Sequence, residues 1–207
     1  MKEILGKKLG MTRIFRDTGD SVPVTVIEVG PCPVVARRKA ETHGYTAYQV
    51  GFEKCSPKRV NKPVMGQFAK AGIEPMRYIR EIHCDGEFEV GSSLRVDLFK
   101  EGERVDVSGI TRGLGFAGGM KRHNFSGANK THGQSDRWRA PGSIGCSSYP
   151  SRVLPGKRMA GRMGKDKVTV MNLEVVKIID GENLMLVRGP VPGFKGGLLK
   201  IRSTNRG

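Results

Sequence analysis

Apolar positions in this chain follow one rule at its two ends and none in its middle. Val22 to Val29 (V-P-V-T-V-I-E-V) is a β-branched run with a proline near its start, the pattern of a strand that opens or edges a sheet. Tyr45 to Phe52 alternates loosely in the same way. Ser93 to Phe99 and Arg104 to Val107 read as further short strands, parted by the turn-like Glu101-Gly102-Glu103. Val168 to Ile179 is a long β-branched run, followed by Asn183 to Val187 and Leu198 to Arg202 with Gly and Pro between them. Helical spacing is confined to Lys62 to Ala71, with Pro63 in the first turn and Gly72 as the stop, and to a second stretch from about Pro75 to Ile82. Many short strands with turn signals predict a mainly β chain, a barrel or a sandwich.

The middle has neither period. Eleven glycines fall between Gly113 and Gly164, together with Pro141, Pro150 and Pro155. Its large aliphatic side chains are Leu114, Ile144, Val153 and Leu154. Such a segment cannot bury enough apolar area to offset its chain entropy, and no ordered state is expected of it before it meets a partner.

Charge sharpens this division. The chain has 207 residues and a formal net charge of +16. Eleven basic residues lie between Arg112 and Lys165 with Asp136 as the one acid, so this segment carries +10 and all the rest +6. That imbalance calls for a polyanion. No apolar run approaches the ~18 residues of a spanning helix, and Met1 to Met11 has no signal-peptide core, so nucleic acid is preferred to a membrane and the chain reads as cytosolic. A bare basic linker would be low in complexity. Here Phe116, His123, Phe125, His132, Trp138 and Tyr149 are interleaved with Arg and Lys, a mixture that suits phosphates and unpaired bases together. The glycines permit close backbone approach, and the amides of Gly142 to Gly145 suit an anion nest. Arg37-Arg38-Lys39, Lys7-Lys8 and Lys58-Arg59 are short basic clusters, ordinarily solvated surface.

Little points to catalysis. Cys32, Cys55, Cys84 and Cys146 are scattered singly, without the short spacings of a zinc site. His43 and His83 sit in separate polar contexts, and His123 and His132 are too far apart for a helical metal pair. Gly113 to Gly118 (G-L-G-F-A-G) matches the dinucleotide pattern, but Lys121-Arg122 follow in place of an amphipathic helix. No enzyme, metal, cofactor or small-molecule substrate is expected. Two rivals have distinct signatures: a cofactor-dependent RNA-modifying enzyme predicts saturable nucleotide binding, and a generic basic protein predicts no preference for ribosomal RNA over duplex DNA.

The middle strings G-F-A-G-G-M-K-R-H-N-F (Gly115 to Phe125), T-H-G (Thr131 to Gly133), R-A-P-G-S-I-G (Arg139 to Gly145) and G-K-R-M-A-G-R-M-G (Gly156 to Gly164) occur in one order. With G-K-K-L-G-M-T-R-I-F (Gly6 to Phe15), V-P-V-T-V-I (Val22 to Ile27), V-T-V-M-N-L-E-V-V (Val168 to Val176) and G-P-V-P-G (Gly189 to Gly193), they resemble the bacterial ribosomal protein L-three family over nearly the whole chain.

That resemblance implies a six-stranded-type β-barrel domain from residues 1–111 and 165–207, with a small helical insert at about 62–82. It implies that residues 112–164 are a long, basic, irregular extension threaded through ribosomal RNA toward the peptidyl-transferase centre. The implied partners are 23S ribosomal RNA, bound early in assembly near its 3′ end, and neighbouring large-subunit proteins. The implied activity is structural. The expected RNA contacts are Arg112, Lys121, Arg122, His123, Asn124, Phe125, His132, Arg137, Trp138, Arg139, Arg152, Lys157, Arg158, Arg162 and Lys165. Most are cations for phosphates, while Phe125, Trp138 and His123 are set to stack on bases. About Asp136 to Pro150 is the expected tip. Three positions depart from the family pattern: His123 replaces a common Trp, Trp138 replaces a common His, and Cys146 replaces a glutamine methylated in some members.

Overall fold

The computed structural model describes residues 1–204. In chain order its elements are β1 (Glu3–Phe15), β2 (Ser21–Val29), β3 (Cys32–Arg38), α1 (Ala40–His43), β4 (Ala47–Lys54), α2 (Lys62–Ala71), β5 (Met76–Ile82), β6 (Ser93–Leu94) and β7 (Arg104–Ile110). There follow β8 (Gly115–Ala117), α3 (Gly119–His123), β9 (Gly161–Met163), β10 (Lys167–Ile179), β11 (Leu184–Arg188) and β12 (Leu198–Ser203). They divide between two compact units, residues 1–111 with 167–207, and residues 112–166.

Six strands of the first unit close into a barrel in the order β1-β12-β7-β10-β11-β2, all neighbours antiparallel. Strand alternation turns Ile4, Ile27, Val105, Val107, Val175, Met185, Val187, Leu199 and Ile201 into its interior, each at most 1% exposed. A second sheet, β5-β4-β3-β6, adds Cys32, Val34, Tyr48, Val50, Phe52, Ile82 and Leu94 to the same core. The predicted barrel is thus present, and the apolar pattern did not reveal β1 of the barrel or β3 of the second sheet. In β1 the sequence L-G-K-K-L-G breaks the alternation with glycines and lysines. Gly6 is there because a Cβ would stand 2.9 Å from the Glu28 carbonyl oxygen of β2. In β3 the apolar run is short and ends in Arg37-Arg38.

The insert corrects one expectation. The helix Lys62–Ala71 forms and ends on left-handed Gly72, but Met76–Ile82 is strand β5, not a second helix. It pairs with β4 from Lys54↔Met76 to Tyr48↔Ile82, and the ladder begins where the Cys55 N–H donates to the Pro75 carbonyl at 3.0 Å. That pairing outweighs the weak helical preference of M-R-Y-I-R-E-I, whose Tyr and Ile residues favour a pleated surface. Ser93 to Phe99 is likewise strand only at Ser93–Leu94, then a 3₁₀ turn at Val96–Leu98. The turn puts Val96 and Phe99, three residues apart, both into the core, which a straight strand would send to opposite faces.

At Asp106 the barrel holds a buried charge. Strand β10 bulges against β7 between Val170 and Leu173, with Asn172 at a φ of 60°. The Asn172 N–H donates to Asp106 Oδ1 at 3.0 Å, and Arg202 on β12 donates to Oδ2 at 2.9 Å. Burial raises the pKa of this carboxyl; the Arg202 and Asn172 hydrogen bonds outweigh it and hold it below its ordinary 3.8. The stabilisation is therefore complete above that ordinary value and fades as pH falls through and beyond it.

Asp106→Ala should cost about 1–3 kcal/mol, because it strands the Asn172 N–H and the Arg202 guanidinium. Circular-dichroism melts at neutral pH measure this loss, and the gap to wild type should narrow in acid. A second expectation concerns the thiols. Cys32 is buried, donates to the Leu5 carbonyl at 3.6 Å and is pushed by burial up to about 12, whereas Cys146 is exposed. A thiol reagent should consume Cys146 at once and Cys32 only at the rate of unfolding.

Candidate nucleic-acid interface

The unit of residues 112–166 begins and ends on a two-stranded stem. Strands β8 and β9 pair at Gly115↔Met163, Phe116↔Arg162 and Ala117↔Gly161, and the Leu114 N–H adds a bond to the Met163 carbonyl at 2.9 Å. At Gly164 a Cβ would overlap the Arg112 carbonyl oxygen, and φ is +80°, so only glycine passes. The five-residue α3 leaves the stem and stops on left-handed Asn124. Its Arg122 Nη1 donates to the Met159 carbonyl at 2.9 Å, and His123 Nε2 lies 3.0 Å from the same oxygen. The His123 and Phe125 rings are 5.7 Å apart at 37°. Thus Gly113 to Gly118 serves as a stem strand and its flanks, and the helix that follows is too short for a dinucleotide fold.

Beyond α3 the backbone closes a loop on itself. The Ala128 N–H donates to the Trp138 carbonyl at 3.0 Å, and Trp138 Nε1 donates to the Gln134 carbonyl at 3.0 Å. Gly127, at φ +77°, lies so close to Met120 and the Trp138 carbonyl that any Cβ would collide with both. The turns on either side of this closure frame an open pocket of about 560 Å³, lined among others by Asn124, Phe125, Gln134, Arg137 and Pro141.

The outward face of the unit is cationic. Arg112, Lys121, Arg122, Arg137, Arg139, Arg152, Lys157, Arg158, Arg162 and Lys165 are all exposed, as are Asn124, His132 and Trp138, while His123 and Phe125 are half-buried. Ala117 is its one buried residue. Eleven ion pairs lie within the barrel unit, ten between side chains and one from the Met1 amine to Asp85. There Lys7 and Arg77 share Glu53, and Arg16 and Arg188 share Glu174. The Lys7 hydrogen bond and charge hold the Glu53 carboxyl below its usual range. Bases of the barrel unit thus have acids of the same unit beside them, whereas in 112–166 eleven bases stand against two acids.

The expected contacts fall into three places. Arg122, His123 and Phe125 meet at the stem, with Arg122 and His123 already engaged by the Met159 carbonyl. Arg137 and Trp138 belong to the loop closure, and Arg139, Arg152, Lys157 and Arg158 are spaced along exposed turns. Phe116 and Tyr149, 80% and 89% exposed, present more ring surface than any of the three expected stacking residues.

Among the described residues no three His, Cys, Asp or Glu side chains gather as metal ligands, and no helix is long and apolar enough to cross a membrane. A closed β-barrel that holds nearly all the buried apolar side chains, bearing a nearly coreless cationic segment, is the build of a protein that meets a polyanion. The family model described as Ribosomal protein L3 matches residues 84–185. A large ribosomal subunit protein uL3 of Chlorobaculum tepidum is 51% identical over the full length of both chains, and one of Chlorobium limicola is 49% identical, again over both in full. Another, from Prochlorococcus marinus, is 51% identical over 98% of this chain and 94% of its own. The chain belongs to the ribosomal protein L3 family.

Trp138 is the chain's single tryptophan, 43% exposed and inside the cationic unit. Its emission should therefore report on this unit alone. Titration with large-subunit ribosomal RNA should quench it, and the quenching should reverse with added salt; an emission indifferent to RNA would remove Trp138 from the interface.

Proposed function

We propose that this chain is a structural constituent of the large ribosomal subunit, located on cytoplasmic ribosomes. It binds 23S ribosomal RNA, takes part in early assembly of the subunit and directs residues 112–164 as an RNA-penetrating element toward the peptidyl-transferase centre. Residues 1–111 and 165–207 form the globular domain that stays outside the RNA and meets neighbouring ribosomal proteins. One observation carries this reading. Eleven basic side chains in the 112–166 unit outnumber its two acids, Asp136 and Asp166, by nine. Such a field is neutralised by phosphates.

Within this reading Arg112, Lys121, Arg122, Arg137, Arg139, Arg152, Lys157, Arg158, Arg162 and Lys165 hold phosphates. His123, Phe125 and Trp138 offer rings to unpaired bases, and Asn124 and His132 donate or accept at the RNA edge. Residues from about Asp136 to Pro150 form the tip. Family membership supports the subunit assignment, and the charge distribution supports the role of the extension.

The test is binding to large-subunit ribosomal RNA over a salt series. Each phosphate contact contributes roughly −0.7 to −0.9 to the slope of log K against log salt. Replacing Arg137, Arg139, Arg152 and Arg158 together by Gln should make the slope shallower by about 3. An unchanged slope would assign recognition to the barrel surface, and equal affinity for random duplex DNA would reduce the chain to a generic basic protein.

A further inference from the structure

We infer that the pocket between the Asn124–Ala128 and Arg137–Gly142 turns receives a single nucleobase extruded from the bound RNA, with the adjoining phosphate on Arg137. This rests on the reading of the chain as a ribosomal RNA binder and adds a discrete nucleotide site to it.

The pocket's form carries the inference. Its volume of about 560 Å³ falls in the range of small-molecule sites, roughly 300–1,000 Å³. Its lining combines apolar Phe125, Ala140 and Pro141 with polar Asn124, Gln134 and Arg137. Proteins that take a base out of its stack use this pairing of a flat apolar wall with groups that hydrogen-bond a base edge. The Phe125 ring is already held, by His123 on one side at 5.7 Å and by Gly119, where a Cβ would stand 2.9 Å from it. Trp138, the larger ring, does not line the pocket; its Nε1 is committed to the Gln134 carbonyl. It closes the loop that shapes the pocket, and Phe125 is the stacking wall.

The loop closure also explains why the pocket stays open. The Ala128–Trp138 backbone bond fixes one lip against the other, and the glycine at position 127 lets the two chains approach without a side chain between them. Gly142 at φ +77° turns the opposite lip. No acidic side chain lines the pocket, so nothing there repels a phosphate.

The test is chemical probing of base edges on large-subunit ribosomal RNA, with the full-length chain and three variants. Wild type and Phe125→Tyr should alter the reactivity of one discrete unpaired nucleotide. Phe125→Leu should return that nucleotide alone to its free reactivity and weaken total binding roughly tenfold. Arg137→Gln should weaken protection of the same nucleotide. An unchanged Trp138 emission across the variants certifies that the loop is intact. If Phe125→Leu reproduces the wild-type pattern, or if the change spreads over a helix instead of one base, the pocket proposal is overturned while the ribosomal reading stands. If wild type alters no nucleotide and does not bind, both fall.

Discussion

The pairing of β7 with β10 is the constraint on which the rest of the molecule depends. Its register runs from Glu174↔Arg104 to Lys167↔Ile110, so the two ends of the intervening segment leave and re-enter the barrel unit from adjacent residues. Both strands are integral to the barrel: β7 also pairs with β12, and β10 with β11. The segment between them can therefore be long, polar and irregular without disturbing barrel closure. The Asp106 carboxylate sits on this seam, joining the Asn172 bulge of β10 to Arg202 of β12. A buried carboxylate is costly to desolvate, and here two donors and an opposite charge compensate it.

Energy is divided as sharply as sequence. The apolar burial lies almost wholly in the barrel unit, with Ala117 the one exception in the other. Barrel bases likewise meet barrel acids, as in the shared Glu53 and Glu174. Self-repulsion is concentrated in the segment with the least cohesion of its own. In isolation that would be a defect. Against a polyanion it is a store of favourable interaction, because released counterions and phosphate contacts replace the missing core.

How far the sequence disclosed this follows from which forces act locally. The strands β2, β7 and β10 were legible from their recurring β-branched residues, and β11 and β12 from short apolar runs bounded by Gly and Pro. Strand β1 was not, since glycine at Gly6 answers a contact with Glu28 of the neighbouring strand β2, which no local pattern records, and the apolar run of β3 is short and ends in Arg37-Arg38. Met76 to Ile82 misled for the same reason: its partner β4 ends 22 residues earlier at Lys54. The cationic segment stood out from charge alone, and its chemically suited side chains could be named. Their grouping could not. The attachment of Arg122 and His123 to the Met159 carbonyl spans 37 and 36 residues, and the stem strands are three residues each.

The internal bonds of the 112–166 unit reveal what kind of order it has. Apart from the stem, the Arg122 and His123 bonds to the Met159 carbonyl and the Ala128–Trp138 closure, they are short in sequence: Trp138 to Gln134, Lys157 to Leu154, Ser143 to Gly145, and Ser151 to Ser148. Each fixes one turn and nothing farther away. Ordering a residue's backbone costs about 1–2 kcal/mol, and a turn with one exposed hydrogen bond returns about 1 kcal/mol. A chain of such turns is shaped piece by piece but not held as a whole. What holds it as a whole must come from outside, through the same side chains that face outward. Shape and charge thus serve one end: the turns leave Arg137, Arg139, Arg152 and Arg158 exposed, and a polyanion that met them would supply the cohesion that a hydrophobic core supplies in the barrel.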